Sequence, residues 1–331
     1  MRFRSTGRLR ITARTLINLA AFSVLLAMTA MPAGASPLGV NGQIAYWNNF
    51  GAFTVNPDGG QAQELVPDTC CPSWSHDGTK LAVPYQTDDG RIGTATVNAD
   101  GSGYTPLPIN HPTLNVGCAS GAWAPDDAQL ACQGWDDSNS ALNGIYAMSA
   151  DDGSGLTRVT VNPDGGNDLP GAYSPNGKQI VFIRSEPGSD TGDLFVVKTN
   201  TGQVRQITST GGLVNPSSDW SPQGNEILFS RHISPDVRGS LWVVHADGTG
   251  LREITVQGLD CGSSVFSFTG FGCHAPHWSP DGNKIVFAAN SAATGVNIYT
   301  INADGSGLAQ ITQDGSDNND DPVWGTHPPV G

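Results

Sequence analysis

Charged residues are scarce in this sequence, and basic ones are the scarcest. Of the 331 residues, 14% are charged, and 16 lysines and arginines stand against 30 aspartates and glutamates. The formal net charge of −14 repels a phosphate backbone, so we expect no nucleic-acid partner. A basic protein or a divalent cation remains compatible with such a surface.

Hydrophobic runs long enough to cross a bilayer are also missing. The one extended apolar run covers residues 16–30, and a spanning helix needs about 20 such residues. Five arginines and no acid precede this run, and Ala33-Gly34-Ala35 follows it. These features are typical of a secretory signal peptide, so we predict cleavage after Ala35 rather than retention as a membrane anchor. The mature protein would be periplasmic or secreted, with a net charge of −19 and no membrane span.

Several catalytic signatures are absent as well. The sequence has no G-x-S-x-G motif, no glycine-rich phosphate loop between a strand and a helix, and no C-x-x-C pair. These absences argue against a hydrolase nucleophile elbow, a phosphate-binding loop and a zinc or dithiol redox site. All six cysteines follow Ala35, and an even count in an exported protein favours disulfides.

Glycine and proline, in contrast, are abundant, with 42 and 22 residues. This content predicts many turns and a β-rich fold. One unit recurs at intervals of 47 to 58 residues: an aromatic residue, a Ser-Pro-Asp-Gly-like turn and an Ile-Val-Phe-like run. A regular period of this length indicates a repeat architecture. The copies begin at Trp74, Trp123, Tyr173, Trp220 and Trp278.

A second unit follows each copy and reads Ile-Tyr-x-x, an Asp-Gly-Ser-Gly-like turn and Leu-x-x-Ile-Thr. Residues 298–312 are its clearest example. In both units the turn closes a hairpin, because proline presets φ and glycine accepts a positive φ. Each period therefore predicts four short antiparallel strands, which is the signature of a propeller blade.

The two ends of the repeat region are complementary. Residues 321–324 supply a first strand with no second strand after it, and residues 42–46 supply a second strand with no first strand before it. We predict that they share one blade and close a ring of six, which removes the open sheet edges. Residues 36–331 would form this single all-β domain, which we expect to be monomeric. An open β-solenoid would leave the complementary ends unexplained.

These repeats resemble the TolB-type, WD-like propeller family over nearly all of residues 41–326. The resemblance implies a six-bladed propeller but no particular activity. TolB itself also carries an N-terminal α/β domain, for which the short stretch between Ala35 and the first strand leaves no room. TolB docks the peptidoglycan-associated lipoprotein, which offers a model of how such a propeller binds.

Two recurrent features have structural interpretations. The aromatic residue occupies the same strand position in every repeat, so we expect packing between blades rather than a ligand cage. The Asp-Gly-Ser-Gly turns lack the alternating ligands and the distal glutamate of calcium loops, and a plain hairpin turn explains them.

Polar residues just before the first strands form the candidate ligand-binding site. Equivalent positions in all blades converge on one rim of the central tunnel, where they could hold a cation or a partner's basic side chain. Capping and turn formation are the alternative roles of Asn and Asp there. The candidates are Asn167, Asp168, Asn215, His274, Asn319 and Asp320.

His274 and His277 are the only clustered pair among the seven histidines. Some lyases that resemble this fold use metal-bound histidines in the tunnel. A metal site normally shows its remaining ligands, and none is apparent here, so we favour packing or surface roles. We predict no catalytic residue, metal site or cofactor, although calcium or another divalent cation remains compatible with the acidic surface.

The cysteines are interpreted as three disulfides. One pair lies in the longest repeat interval and would staple a loop on the tunnel rim, one would join adjacent strands of a hairpin, and one would be vicinal. A bridge from either vicinal cysteine to the next blade is the alternative, and spacing does not decide between them. The pairs are Cys261–Cys273, Cys118–Cys132 and Cys70–Cys71, and the alternative partner is Cys118.

A complete propeller without a catalytic constellation predicts a non-enzymatic binding module. It would engage a protein or a polymer, such as a glycan, of the cell envelope or extracellular space. The rim with the Cys261–Cys273 loop is the expected binding face. The alternative is a polysaccharide lyase or hydrolase with a metal-assisted site around His274 in the tunnel.

Export of the full chain tests the signal peptide. In a host with a general secretory pathway, the exported protein should begin at Ser36, which N-terminal sequencing and intact mass measure. Replacing Ala33 and Ala35 with leucine should leave the leader attached, because cleavage requires small residues there. An exported wild-type protein that still carries residues 1–35 would contradict the predicted cleavage.

Overall fold

A computed structural model describes residues 39–118, 122–189, 191–209, 211, 214–231, 239–259, 261, 272–291, 295–313 and 318–326. The predicted signal peptide lies outside these ranges. Within them the chain forms strands β1 to β24 and a short 3-10 helix, Ser140–Leu142. The strands make six four-stranded antiparallel blades arranged in a ring. The predicted all-β, six-bladed propeller is therefore confirmed.

Five blades follow the five repeats in chain order. Blade 1 contains β4 (Ser73–Trp74), β5 (Lys80–Gln86), β6 (Ile92–Asn98) and β7 (Thr105–Leu107). Blade 2 contains β8 (Asn115–Gly117), β9 (Gln129–Trp135), β10 (Gly144–Ser149) and β11 (Thr157–Arg158). Blade 3 contains β12 (Asp168–Tyr173), β13 (Gln179–Ser185), β14 (Gly192–Lys198) and β15 (Val204–Gln206).

The remaining two repeats continue the pattern. Blade 4 contains β16 (Val214–Trp220), β17 (Glu226–Arg231), β18 (Ser240–His245) and β19 (Arg252–Ile254). Blade 5 contains β20 (Cys273–Trp278), β21 (Lys284–Ser291), β22 (Gly295–Asn302) and β23 (Ala309–Gln310). A single backbone pairing, Gly192 with Val214, links blades 3 and 4.

The sixth blade is built from both ends of the repeat region. It contains β24 (Asp320–Thr326), β1 (Asn41–Asn48), β2 (Gly51–Val55) and β3 (Gln63–Pro67), paired in that order. Antiparallel pairing of Trp324 with Ile44, and of Val323 with Ala45, holds the join. This closing blade therefore has the predicted composition.

Hydrophobic cores lie between neighbouring blades rather than within one sheet. Six clusters of buried residues each draw on two adjacent blades, and each contains one of the repeated aromatic residues. Trp123, for example, is 2% exposed and donates its indole N–H to the carbonyl of Ser73 in blade 1, at 2.9 Å. The predicted packing role of the aromatic residues is confirmed.

The turn after the aromatic residue follows the predicted chemistry in all but one repeat. Gly282 illustrates the usual case with a φ of 73°. In blade 2 the same position holds Asp127, which adopts a φ of 57°. Its carboxylate accepts the backbone N–H groups of His76 and Asp77 from blade 1, at 2.6 and 3.0 Å. These bonds between blades hold a non-glycine residue in the left-handed region.

Three disulfides pair the six cysteines. The structure joins Cys118 to Cys132 and Cys261 to Cys273, and it has the vicinal bridge between Cys70 and Cys71 rather than a link to the next blade. Cys261 and Cys273 flank residues 262–271, which lie outside the described ranges. Each bridge is therefore local to a single blade or its approach, and closure of the ring rests on strand pairing.

Truncation of Trp123 tests the packing between blades. Replacing it with alanine should lower the free energy of unfolding by about 3 to 5 kcal/mol, because the change removes a buried aromatic residue and leaves a cavity. Phenylalanine should cost less, since a smaller aromatic ring still fills part of the interface, although the bond to Ser73 and some buried volume are lost. Denaturant unfolding measures both.

The control for Trp123→Ala is Tyr104→Ala, since Tyr104 is 43% exposed. That variant should change the unfolding free energy by no more than about 0.5 kcal/mol. Equal losses in the two alanine variants would contradict the packing role.

Candidate functional site

The six first strands converge on one central cavity of about 440 Å³. Every blade contributes its repeated aromatic residue, and most contribute part of the Ser-Pro turn that follows. The aromatic residues are Trp74, Trp123, Tyr173, Trp220, Trp278 and Trp324. The turn and strand residues around them are Gly39, Ser75, His76, Asp77, Pro125, Asp127, Ala172, Pro175, Asp219, Pro222, His277, Ser279, Pro280, Val323 and Thr326.

The circle of six aromatic residues around the cavity has two roles. Each aromatic residue is only 2 to 8% exposed, so most of its surface packs between blades. The same residues also line the central cavity. Sequence reasoning treated packing and a ligand cage as alternatives, whereas the geometry supports packing and lets the remaining surface form a cavity wall.

The ionisable groups of this wall are mainly acidic. Asp77, Asp127 and Asp219 line the cavity together with His76 and His277, and no lysine or arginine is among its lining residues in the described part of the chain. The cavity therefore combines an apolar aromatic wall with a negative potential.

Asp219 and His277 form the most buried polar pair of the cavity. The Nδ1 atom of His277 lies 3.4 Å from Oδ2 of Asp219, and their side chains are 3% and 16% exposed. The same oxygen accepts the backbone N–H of Trp278 at 2.8 Å. Asp219 of blade 4 thus holds the first strand of blade 5 in place. The other ring nitrogen of His277, Nε2, has no hydrogen-bond partner among the described residues.

The candidates from the sequence lie at the opposite end of the first strands, and none of those whose side chains the structure describes lines the cavity. Asp168 is fully buried and forms a bidentate ion pair with Arg184, with both N–O distances 2.8 Å. Asn167 accepts a hydrogen bond from Asn143 at 3.3 Å, and Asn319 is fully buried. The side chain of Asn215 lies outside the described residues.

His274 and Asp320 are the candidates that the structure brings together. Nε2 of His274 lies 2.9 Å from Oδ1 of Asp320, and Nδ1 lies 3.1 Å from the carbonyl of Gly272. Burial alone would lower the pKa of His274, but the charge and hydrogen bond of Asp320 and the carbonyl of Gly272 raise it on balance. Both ring nitrogens face acceptors, so the imidazolium is the form that fits this site.

Asp321 belongs to the same group of charges. The residue keeps part of its surface exposed, but its carboxyl group lies among protein atoms and accepts the indole N–H of Trp47 at 3.1 Å. Burial, followed by the charge of neighbouring Asp320, raises the pKa of Asp321 to about 6. The two histidines, His274 and His277, act in the opposite direction.

A shared backbone irregularity shapes this end of the tunnel. The third residue before the aromatic one has a positive φ in three consecutive blades: Cys71 at 51°, Ala275 at 48° and Asp321 at 45°. In blade 5 and the closing blade this residue sits in a shift of strand register, as in a β-bulge. None of the three is glycine, so sequence reasoning had no signal for it.

Sequence reasoning also missed the acids of the cavity. Asp219 immediately precedes a repeated aromatic residue, and Asp127 replaces the glycine of a turn. A departure from the repeat consensus was the available signal for both. Within the described residues, no group of three or more His, Cys, Asp or Glu side chains is arranged to hold a metal ion. No helix among them is long and apolar enough to span a membrane.

Comparison with known proteins agrees with this architecture. Residues 61–258 match the family model described as the TolB beta propeller domain. The chain belongs to this TolB propeller family. No curated protein matches the sequence.

Solved structures of this fold share little sequence identity with the chain. TolB from Acinetobacter baumannii has a TM-score of 0.66 at 16% identity, over 88% of this chain and 68% of that one. A putative TolB from Agrobacterium tumefaciens has a TM-score of 0.58 at 18% identity, over 82% and 88%. A chain of a nidogen/laminin complex has a TM-score of 0.61 at 8% identity, over 85% and 97%. At such identities the likeness extends to the propeller fold alone.

The charges around Asp321 generate a pH prediction. Asp321 has a folded pKa of about 6, above its unfolded value of about 3.9. Its contribution to stability is therefore present below pH 4 and is lost as the pH rises through 6. The pKa of His274 is also raised, so the stability that its protonated form contributes is likewise lost as the pH rises. The effect of Asp321→Asn on the free energy of unfolding, relative to wild type, should be more stabilising at pH 7.5 than at pH 4.5, by on the order of 1 to 3 kcal/mol.

Urea unfolding of wild type and variant at the two pH values measures this difference. Asparagine suits the site because it tolerates a positive φ and its side-chain oxygen can still accept the Trp47 N–H. Asp304→Asn is the matched control, because hydrogen bonds from Ser306 lower the pKa of that exposed carboxyl, which stays ionised at both pH values. A pH-independent effect of Asp321→Asn would contradict the assignment.

Proposed function

We propose that this TolB-family propeller is an exported, non-enzymatic binding module that holds a protein of the cell envelope or extracellular space at its central cavity. The observation that carries the proposal is the cavity itself, to which all six blades contribute an aromatic residue. A concave, largely apolar wall with a few fixed polar groups is the usual form of a pocket for a small ligand, and we propose that here it receives part of a protein partner.

Two further observations support this function. Three disulfides fit an oxidising compartment outside the cytoplasm. Propellers of the same fold include TolB and a chain of a nidogen/laminin complex, and the latter is by its description part of a protein–protein assembly. The proposed binding face is the cavity end of the tunnel. It differs from the rim beside Cys261 and Cys273 that the sequence suggested.

An enzyme is the second candidate, because one observation favours it. His277 has one ring nitrogen 3.4 Å from Asp219 and the other without a protein partner among the described residues, and both residues line the cavity. An aspartate–histidine pair of this kind can act as a general base. His277→Ala would abolish turnover of a glycan substrate if the protein were a lyase or hydrolase. Capture of a protein partner would not require an intact base.

In-cell cross-linking of the tagged full chain, followed by mass spectrometry, tests the binding function. Wild type should capture a specific exported or envelope protein in every replicate. Pro222 lines the cavity, and Pro222→Trp should abolish capture by narrowing it. Gln203→Trp is the matched control, since it introduces the same side chain at an exposed turn of blade 3. Melting temperatures establish that both variants fold.

Three outcomes would contradict the proposal. Equal capture by Pro222→Trp and wild type would remove the cavity as the binding face. Loss of capture only when residues 262–271 are replaced by a Gly-Ser linker would move the site to the opposite rim. Capture of no protein across replicates, together with turnover of a glycan that depends on His277, would favour the enzyme.

A further inference from the structure

We infer that the cavity receives a lysine or arginine side chain from a basic, extended segment of the protein partner. The inference rests on the proposed function, since it specifies the chemistry of the ligand at the same cavity. Three features carry it: the sign of the cavity's charges, their distribution around the ring, and the aromatic wall.

The acids of the lining have only histidines as basic neighbours within the described lining: His76 lies 3.5 Å from Asp127 and His277 lies 3.4 Å from Asp219. Asp77, Asp127 and Asp219 contribute carboxylates, and the described lining residues include no lysine or arginine. Lys80 influences Asp77 from outside the lining. The whole chain carries a net charge of −14, so the surrounding field has the same sign. A cation is therefore attracted to the cavity and an anion is repelled.

The carboxylates are distributed around the axis rather than clustered. Asp77 belongs to blade 1, Asp127 to blade 2 and Asp219 to blade 4. In a ring of six, blades 1 and 4 face each other across the axis. A cation between them has an acid on both sides, which a one-sided acidic patch would not provide.

Backbone hydrogen bonds hold these acids in place. Asp219 accepts the N–H of Trp278 at 2.8 Å, and Asp127 accepts two N–H groups of blade 1. Burial works against ionisation of Asp77, but hydrogen bonds from Thr79 and Ser75 outweigh it and lower its pKa. The negative groups are thus positioned before any ligand enters, which reduces the entropy lost on binding.

The wall favours an organic cation over a bare metal ion. Arginine and lysine side chains gain from contact with aromatic faces, and five tryptophans and a tyrosine line this cavity. The chain already contains such contacts elsewhere: the guanidinium of Arg231 lies 4.7 Å from the ring centre of Trp242, and that of Arg184 lies 5.5 Å from Phe182. A metal ion would need a ligand cluster, and none occurs among the described residues.

Tryptophan fluorescence provides a direct assay, because five of the eight tryptophans line the cavity. The probes are the capped pentapeptide Gly-Gly-Arg-Gly-Gly and its citrulline and glutamate counterparts, titrated into the full mature chain. The arginine peptide should give a saturable signal that weakens with added salt. The neutral citrulline peptide should bind at least about tenfold more weakly, and the glutamate peptide should not bind.

Variants then assign the selectivity to the cavity. Asp219→Asn and Asp127→Asn should each weaken binding of the arginine peptide by about three- to tenfold. The affinity for the citrulline peptide should stay unchanged. Asp304→Asn makes the same change in net charge at an exposed turn and should alter affinity by less than about twofold. Asparagine suits position 127 because it tolerates a positive φ, so this variant serves if Asp219→Asn unfolds.

The inference is overturned if citrulline and arginine peptides bind equally, if neither binds, or if Asp304→Asn weakens binding as much as the cavity variants. Spermidine binding as tightly as the arginine peptide would assign a free polyamine instead of a protein segment. A partner captured at the cavity without arginine selectivity would refute this inference and leave the binding function intact. Arginine selectivity with no captured partner would support the inferred ligand chemistry of the cavity and count against the proposed binding function.

Discussion

Burial of apolar surface between adjacent blades is the constraint on which the rest of this structure depends. A four-stranded sheet of this length cannot cover its own two faces, so each blade requires a neighbour on both sides. The six clusters of buried residues all lie at such interfaces, and each contains one repeated aromatic residue. Closure through β24 and β1 follows from the same requirement, because an open array would leave two faces exposed.

The central cavity is a geometric consequence of that packing. The aromatic residues must stand at the same position of each first strand to fill the interfaces, and the first strands surround the axis. Six large side chains therefore meet around one space of about 440 Å³. The residue before each aromatic one is under weaker constraint, and its chemistry differs between blades. These residues are Ser73, Ala122, Ala172, Asp219, His277 and Val323.

This difference explains what could be predicted from the sequence. Blade number, strand order, the shared closing blade and the packing role of the aromatic residues follow from periodicity and turn chemistry, and the structure agrees. Ligand binding by the rim residues stays a prediction, because convergence at a rim says nothing about side-chain partners. Asp168 is paired with Arg184, and two of the three cavity acids, Asp127 and Asp219, are departures from the repeat. The positive φ of Ala275 and Asp321 depends on bulges that no local motif announces.

The acidic side chains at the two ends of the tunnel have different partners, and this contrast supports the proposed binding at the cavity end. At the start of the first strands, two acids have cationic partners from the same chain: fully buried Asp168 has Arg184, and partly exposed Asp320 has His274. Burying those charges is tolerated because the pairs compensate each other. At the cavity end, Asp219 is fixed by a backbone amide and neighbours only a histidine. Asp127 has a histidine neighbour as well, and the described cavity lining contains no lysine or arginine, which leaves room there for a cation supplied from outside. This contrast supports the proposal that a partner binds at the cavity end, where its positive charge would add electrostatic energy.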